Sequence, residues 1–223
     1  MLRVLLIVFC FFLAESSLAE EISFKTADKA TIYANYLPRG SHAVLLAHGA
    51  IFNKDSWGAF EQRLLDENFT ILAIDFRGYN KSAKGEKSGA LYEDILAGVK
   101  FLRNHKNIEK ITVLGASMGG VAAAKASVYS KANSFDQLIL LSPAKVFKAE
   151  ALKGNKLFIA SDKESLLKAI ESAFNKAPEP KQLLLIKGKA HAQHIFNTPQ
   201  ADVLTTAIIK FLNSSHTLTT LNR

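Results

Sequence analysis

Two rhythms of hydrophobic and polar positions alternate along the chain. Short runs rich in aliphatic and β-branched residues, at 43–47, 70–75, 111–114, 137–141, 156–160 and 182–186, are bounded by polar or glycine-bearing segments and predict strands. These runs are apolar almost throughout instead of alternating, so the strands should be buried on both faces, as in a parallel sheet covered by helices. Between them, Trp57, Phe60, Leu64 and Leu65 recur at helical spacing within 57–68, and Tyr92, Ile95, Leu96, Val99 and Leu102 form a second stripe. The alanine-rich segment 119–129 and the segments 164–175 and 201–212 complete the helical set. Upstream, 22–25 and 31–36 flank Ala27-Asp28-Lys29 and predict an opening antiparallel hairpin. The fold class that follows is α/β, a mostly parallel central sheet of about eight strands with helices on both faces.

The spacing between predicted strands limits what else the chain can hold. Between the strand ending at Leu141 and the one starting at Lys156 there is room for a loop or one short helix, and none for an inserted cap domain. The face at the strand ends should therefore be open. No internal repeat, low-complexity tract or second domain is visible, and 223 residues suit one well-buried domain. Hydrophobic residues at 48% and charged residues at 22% form a globular balance, which excludes a disordered chain.

The first residues follow a different pattern. Arg3, the apolar run 4–13 and the small residues around Ser17-Leu18-Ala19 have the layout of a signal peptide, here 1–19 with cleavage after Ala19. A membrane anchor would need roughly 20 apolar residues, and Glu15 interrupts this run too early. Phe9 stands where a small residue would precede a lipidated Cys10. The expectation is an exported, periplasmic or secreted domain over 20–213, with a loose tail at 214–223. Cys10 is the only cysteine, so the mature chain would have neither disulfide nor thiol chemistry. Cleavage removes one charge of each sign and leaves the formal net charge at +8. The lysines are dispersed, with a modest concentration at Lys145, Lys148, Lys153 and Lys156, which reads as a solvated basic surface. Attraction to anionic envelope surfaces stays open, whereas no motif supports nucleic-acid binding.

Candidate chemistry centres on Gly115-Ala116-Ser117-Met118-Gly119, a GxSxG sequence between the predicted strand 111–114 and the helix 119–129. In that setting a sharp strand-to-helix turn lifts a serine hydroxyl above the sheet, and Ser117 is the candidate nucleophile. A serine needs a base, itself oriented by an acid, and on this scaffold the order is serine, acid, histidine. His191 follows the strand 182–186 across a short loop and is preferred as the base over His194, while His216 lies in the tail. Asp162 and Glu164 both follow the strand 156–160, and either could be the acid. Developing charge on a carbonyl oxygen requires two backbone donors, for which Met118 and Ala50 are the candidates, with Ile51 next. His48 reads as a loop brace, and Phe52 and Trp57 as core residues in preference to an acyl pocket. No third ligand is patterned near His191 and His194, so neither metal nor cofactor is expected.

His48-Gly49, the segment from Asp75 to Ser82, the turn at Ser117 and Gly188-Lys189-Ala190-His191 together resemble the α/β-hydrolase family over about 43–212. They are similar to its small cap-less esterase and serine-aminopeptidase-like members. The resemblance implies a carboxylesterase-like serine hydrolase that acts on a small-molecule acyl substrate through an acyl-enzyme, at an ester, amide or thioester bond. It places the acid at the fourth position of a Gly-x-x-Asp turn, which maps onto Glu164, with Ser161 in place of glycine and Glu in place of Asp. That departure keeps Asp162 open as the alternative. Asn80 stands where many relatives carry glycine, and Arg77 there braces loops. Two other readings remain, a binding protein that keeps the fold without turnover and an acyltransferase.

Overall fold

The computed structural model describes residues 19–214, so the expected leader apart from Ala19, and the tail from 215 onward, lie outside the described residues. In chain order the strands are β1 (Glu20–Lys25), β2 (Thr31–Leu37), β3 (His42–Ala47), β4 (Thr70–Ile74), β5 (Lys110–Ala116), β6 (Gln137–Leu141), β7 (Asn155–Ser161) and β8 (Lys181–Ile186). They form one sheet in the order β1-β2-β4-β3-β5-β6-β7-β8. β2 runs antiparallel to both of its neighbours, and the pairings from β4 through β8 are parallel.

The helices are α1 (Gly58–Asp66), α2 (Leu91–Arg103), α3 (Met118–Tyr129), α4 (Leu167–Lys176) and α5 (Ala201–Leu212). The sheet separates two cores, and β3 illustrates how the sequence serves both. Ala43, Leu45 and Ala47 pack with Ile95 and Val99 of α2, Ala123 of α3 and Ile170 of α4. Val44 and Leu46 pack on the opposite face with Phe60 and Leu64 of α1 and Leu204 and Ile208 of α5. Successive side chains point to opposite faces, so a strand under two helical layers must be apolar at every position. Each fully buried leucine in such a strand contributes about 1.5–3 kcal/mol.

After β3 the chain builds β4 on one side, then crosses through α2 to build β5 on the other. The sheet thus changes direction between β3 and β5, and the crevice beyond the carboxyl ends of these strands is where open α/β sheets bind ligands. The connection 142–154 holds only a 3-10 turn, Ala149–Ala151, so no cap domain covers that end.

A buried ion cluster fixes the opening hairpin to the sheet. The Arg77 guanidinium spans Asp28, in the turn between β1 and β2, and Asp94 of α2, with shortest contacts of 2.6 Å to each. Hydrogen bonding to Arg77 holds the Asp28 carboxyl well below the usual carboxylate range, while burial pushes that of Asp94 up. Buried and paired on both sides, Arg77 therefore braces the hairpin turn against α2.

Two elements differ from the sequence expectation. α4 starts at Leu167 instead of near 164, because Glu164 N–H donates to the Ser161 carbonyl and Leu167 N–H to the Glu164 carbonyl, two successive turns that precede the helix. A 3-10 helix, Ala192–Asn197, follows His191, where periodicity had no signal.

Candidate active site

β5 ends at Ala116 and α3 begins at Met118, which leaves Ser117 alone to make the reversal. Its φ of 50° and ψ of −110° lie outside the regions open to most L-residues. Such a conformation costs about 1–3 kcal/mol and persists only where its surroundings over-determine it. Here Ser117 N–H donates to the Leu141 carbonyl at 2.9 Å, and its own carbonyl accepts the Val121 N–H at 3.0 Å. The flanking glycines are required by contact. A Cβ at Gly115 would fall 2.3 Å from the Gly119 carbonyl oxygen, and one at Gly119 only 2.1 Å from that of Ala47. Backbone therefore touches backbone beneath the turn.

The loop 187–190 carries the chain from β8 to His191, whose Nε2 lies 2.8 Å from Ser117 Oγ. On the other side of the ring, Nδ1 lies 2.8 Å from Glu164 Oε2. An ionised carboxylate only accepts, so Nδ1 carries the proton and Nε2 is left to accept from the serine hydroxyl. Glu164 is buried and held at its other oxygen too. Oε1 accepts from Ser142 Oγ at 2.9 Å and from the Ser161 N–H at 3.0 Å. Asp162 is exposed and turns elsewhere, its Oδ1 accepting the Gly188 N–H at 2.8 Å. Of the two acids considered, only Glu164 is hydrogen-bonded to His191.

The loop after β3 approaches the same point, since a Cβ at Gly49 would sit 3.6 Å from Ser117 Cβ. His48 is fully buried beneath it. Its Nδ1–H donates to the Gly49 carbonyl at 2.8 Å, and its Nε2 accepts the Phe76 N–H at 3.2 Å. Burial pushes its pKa down, which keeps the ring neutral and able to do both. Gly49 N–H is taken by Gln193 Oε1 at 2.7 Å, and Gln193 Nε2 donates to Ser56 Oγ at 3.0 Å. The next residue, Ala50, is exposed, and its carbonyl accepts from Tyr79 Oη at 2.8 Å. Met118 opens α3, so its N–H has no intrahelical acceptor.

A family model described as serine aminopeptidase, S33, matches residues 39–201, a span that contains all of these groups. The chain belongs to this family. The S33 family member accordingly has the α/β-hydrolase fold. Among curated proteins it is 33% identical to an uncharacterized protein of Mycobacterium tuberculosis over 108 residues, 48% of this chain and 30% of that one. It is 32% identical over 84 residues to a putative esterase/lipase of Haemophilus influenzae, 37% of this chain and 28% of that protein. The matched region is thus under a third of either relative. Among solved structures, an esterase of Pyrococcus furiosus superposes with a TM-score of 0.73 at 18% identity, covering 88% of this chain and 92% of that one. An esterase of Exiguobacterium antarcticum gives 0.72 at 14% identity, covering 86% and 99%.

Other residues of this S33 member considered from the sequence lie outside the hydrogen-bonded chain. His194 is exposed, with its ring against Phe52 at a centroid separation of 5.1 Å. Trp57 is 2% exposed and packs on Phe60 in the core. Ile51, at 79% exposure, stands free beside Ala50. Among the described residues no three His, Cys, Asp or Glu side chains gather into a metal-binding group. Sequence reasoning missed Ser142, Gln193 and Tyr79. Each acts through a loop contact that has no period, and the one available hint was a glutamine two residues after the candidate histidine.

Proposed function

We propose that the protein is an exported serine hydrolase that cleaves the ester-type bond of a small acyl substrate, with amides and thioesters as the neighbouring classes. The observation that supports this reading most directly is the unbroken path from Ser117 Oγ through His191 to Glu164, with both hydrogen bonds at 2.8 Å. As Oγ attacks the carbonyl carbon, His191 Nε2 takes the serine proton and Glu164 stabilises the imidazolium that forms. The carbonyl oxygen becomes an oxyanion, held by the N–H groups of Met118 and Ala50. Each such donor is worth roughly a hundredfold or more in rate. The carbon–oxygen bond to the leaving group then breaks as His191 returns its proton to that oxygen, and the acyl group remains on Ser117. Water, deprotonated by the same histidine, attacks the acyl carbon, and the bond from that carbon to Ser117 Oγ breaks as His191 returns the proton to Oγ, releasing the acid and restoring the serine hydroxyl. Every proton is accounted for by His191 and water, so no cofactor is required.

The test is covalent. A fluorophosphonate should label the mature protein at Ser117 and p-nitrophenyl esters of short acids should be turned over, both lost in Ser117→Ala. Absence of labelling on folded protein would overturn the reading. Export is tested separately, by sequencing the N-terminus of protein recovered outside the cytoplasm, which should begin at Glu20.

A further inference from the structure

A cavity shares a wall with the candidate base. It measures about 690 Å³ and lies past the end of β8, between the loop 187–190 and the residues that lead into α5. His191 lines it, and the same residue meets Ser117 through Nε2. Its apolar wall is Ile186, Ala190, Ile195 and Pro199. The ionisable side chains on it are Lys187, Lys189, His191 and His194, and no carboxylate lines it. Two carboxylates stand behind its lining, Glu164 on His191 Nδ1 and Asp162 on the Gly188 N–H.

We propose that this cavity is the leaving-group subsite of the hydrolase, and that it selects esters whose leaving alcohol or phenol joins an apolar body to an anionic group such as a carboxylate. This rests on the serine-hydrolase reading. The side of the site is fixed by chemistry. His191 must hand its proton to the leaving oxygen, so that oxygen lies next to Nε2 and the group attached to it extends toward the histidine. The carbonyl oxygen is directed toward Ala50 and Met118, whose amides must reach it, which leaves the leaving oxygen as the substituent beside the histidine. A departing group that passes His191 meets the His194 ring, which packs edge-on against Phe52, and then the apolar wall. Lys187 and Lys189, both exposed on the rim, are placed to meet a negative charge at its far end. A wall that is apolar with only basic ionisable groups is complementary to an amphiphilic anion and repels an amphiphilic cation.

The experiment compares two acetate esters that differ only in leaving-group charge, 4-acetoxybenzoate and phenyl acetate. The readout is the ratio of their kcat/KM values in each variant, because intrinsic reactivity then cancels. In the double variant Lys187→Gln/Lys189→Gln the ratio should fall about three- to tenfold, in line with two partly screened exposed charges. Lys106→Gln/Lys131→Gln removes the same net charge at the opposite end of the sheet and should leave the ratio where it was. Binding supplies a readout independent of turnover. The Ser117→Ala protein should bind 4-hydroxybenzoate more tightly than phenol, and the difference should shrink by the same factor in Lys187→Gln/Lys189→Gln. An unchanged ratio, or equal binding of 4-hydroxybenzoate and phenol, overturns the subsite. Lysine-dependent binding in a protein that neither turns over esters nor reacts with a fluorophosphonate overturns the hydrolase reading instead, and with it the assignment of the cavity to a leaving group.

Discussion

Gln193 Oε1 accepts the Gly49 N–H at 2.7 Å, a bond between residues 144 positions apart in the chain. It ties the loop after β3, which carries Ala50, to the 3-10 helix that follows His191. The amide is 2% exposed and its other end holds Ser56, so both of its polar atoms are committed. Two loops that the proposed mechanism brings to one carbonyl are thereby held at a fixed separation, and a displacement of even 1 Å in such a constellation is costly.

Gln193→Ala should lower kcat on a p-nitrophenyl ester by about ten- to a hundredfold with little change in KM, since the oxyanion donor is used chiefly in the transition state. Gln193→Glu keeps an acceptor for the Gly49 N–H and should lose less. Steady-state kinetics on both variants check this, and an unaltered kcat in the alanine variant would mean that the loop holds itself.

Glu164 and Asp162 are separated by one residue yet should behave very differently. Glu164→Gln removes the charge that stabilises the His191 imidazolium and should reduce kcat by about a hundredfold or more. Asp162→Asn, at an exposed carboxylate bonded to a loop amide, should stay within about threefold of wild type. Reversal of that order would move the acid role to Asp162.

The backbone strain at Ser117 makes its own prediction. Glycine tolerates a φ of 50° far better than alanine does, so Ser117→Gly should melt above Ser117→Ala although both lack the hydroxyl. The expected gap is about 1 kcal/mol, readable by thermal or urea unfolding. A glycine variant that is no more stable than the alanine one would show that the turn carries no strain.

His42 supplies a pH dependence remote from the site. Burial, with Lys110 adding to it, pushes its pKa from 6.5 down to about 4, and Nε2 is hydrogen-bonded to Thr112 Oγ1 at 2.8 Å. Between these values the unfolded chain binds a proton that the folded chain does not, so the stability His42 contributes is present above pH 6.5 and is lost as the pH falls toward 4. Melting temperatures from pH 7 to 4 should therefore drop more steeply for wild type than for His42→Gln. Parallel curves would exclude His42 as the cause.

Much of the architecture is legible in the sequence because burial on both faces of a parallel sheet writes itself as unbroken apolar runs. Residues 137–141 and 201–212 coincide with β6 and α5 to the residue, and Ser117 is marked by glycines that only a close backbone crossing requires. The acid is less legible. Asp162 and Glu164 are both carboxylates within a few residues of the strand end, and what separates them is a turn that directs Glu164 inward to Ser142 and His191 and Asp162 outward to Gly188. Ser142 is not legible and Gln193 is hinted at only by its place two residues after His191, because a side chain that bridges two loops imposes no period on its neighbours. Such contacts depend on which loops the folded sheet brings together.

The brevity of the segment 142–154 bears on the timing of turnover. Among the described residues that segment holds a single 3-10 turn and no covering domain, so the proposed cycle at Ser117 meets no closure or gate in it. Its pace should follow bond making and breaking at the acyl carbon, varying with the basicity of the departing oxygen and indifferent to the viscosity of the solvent.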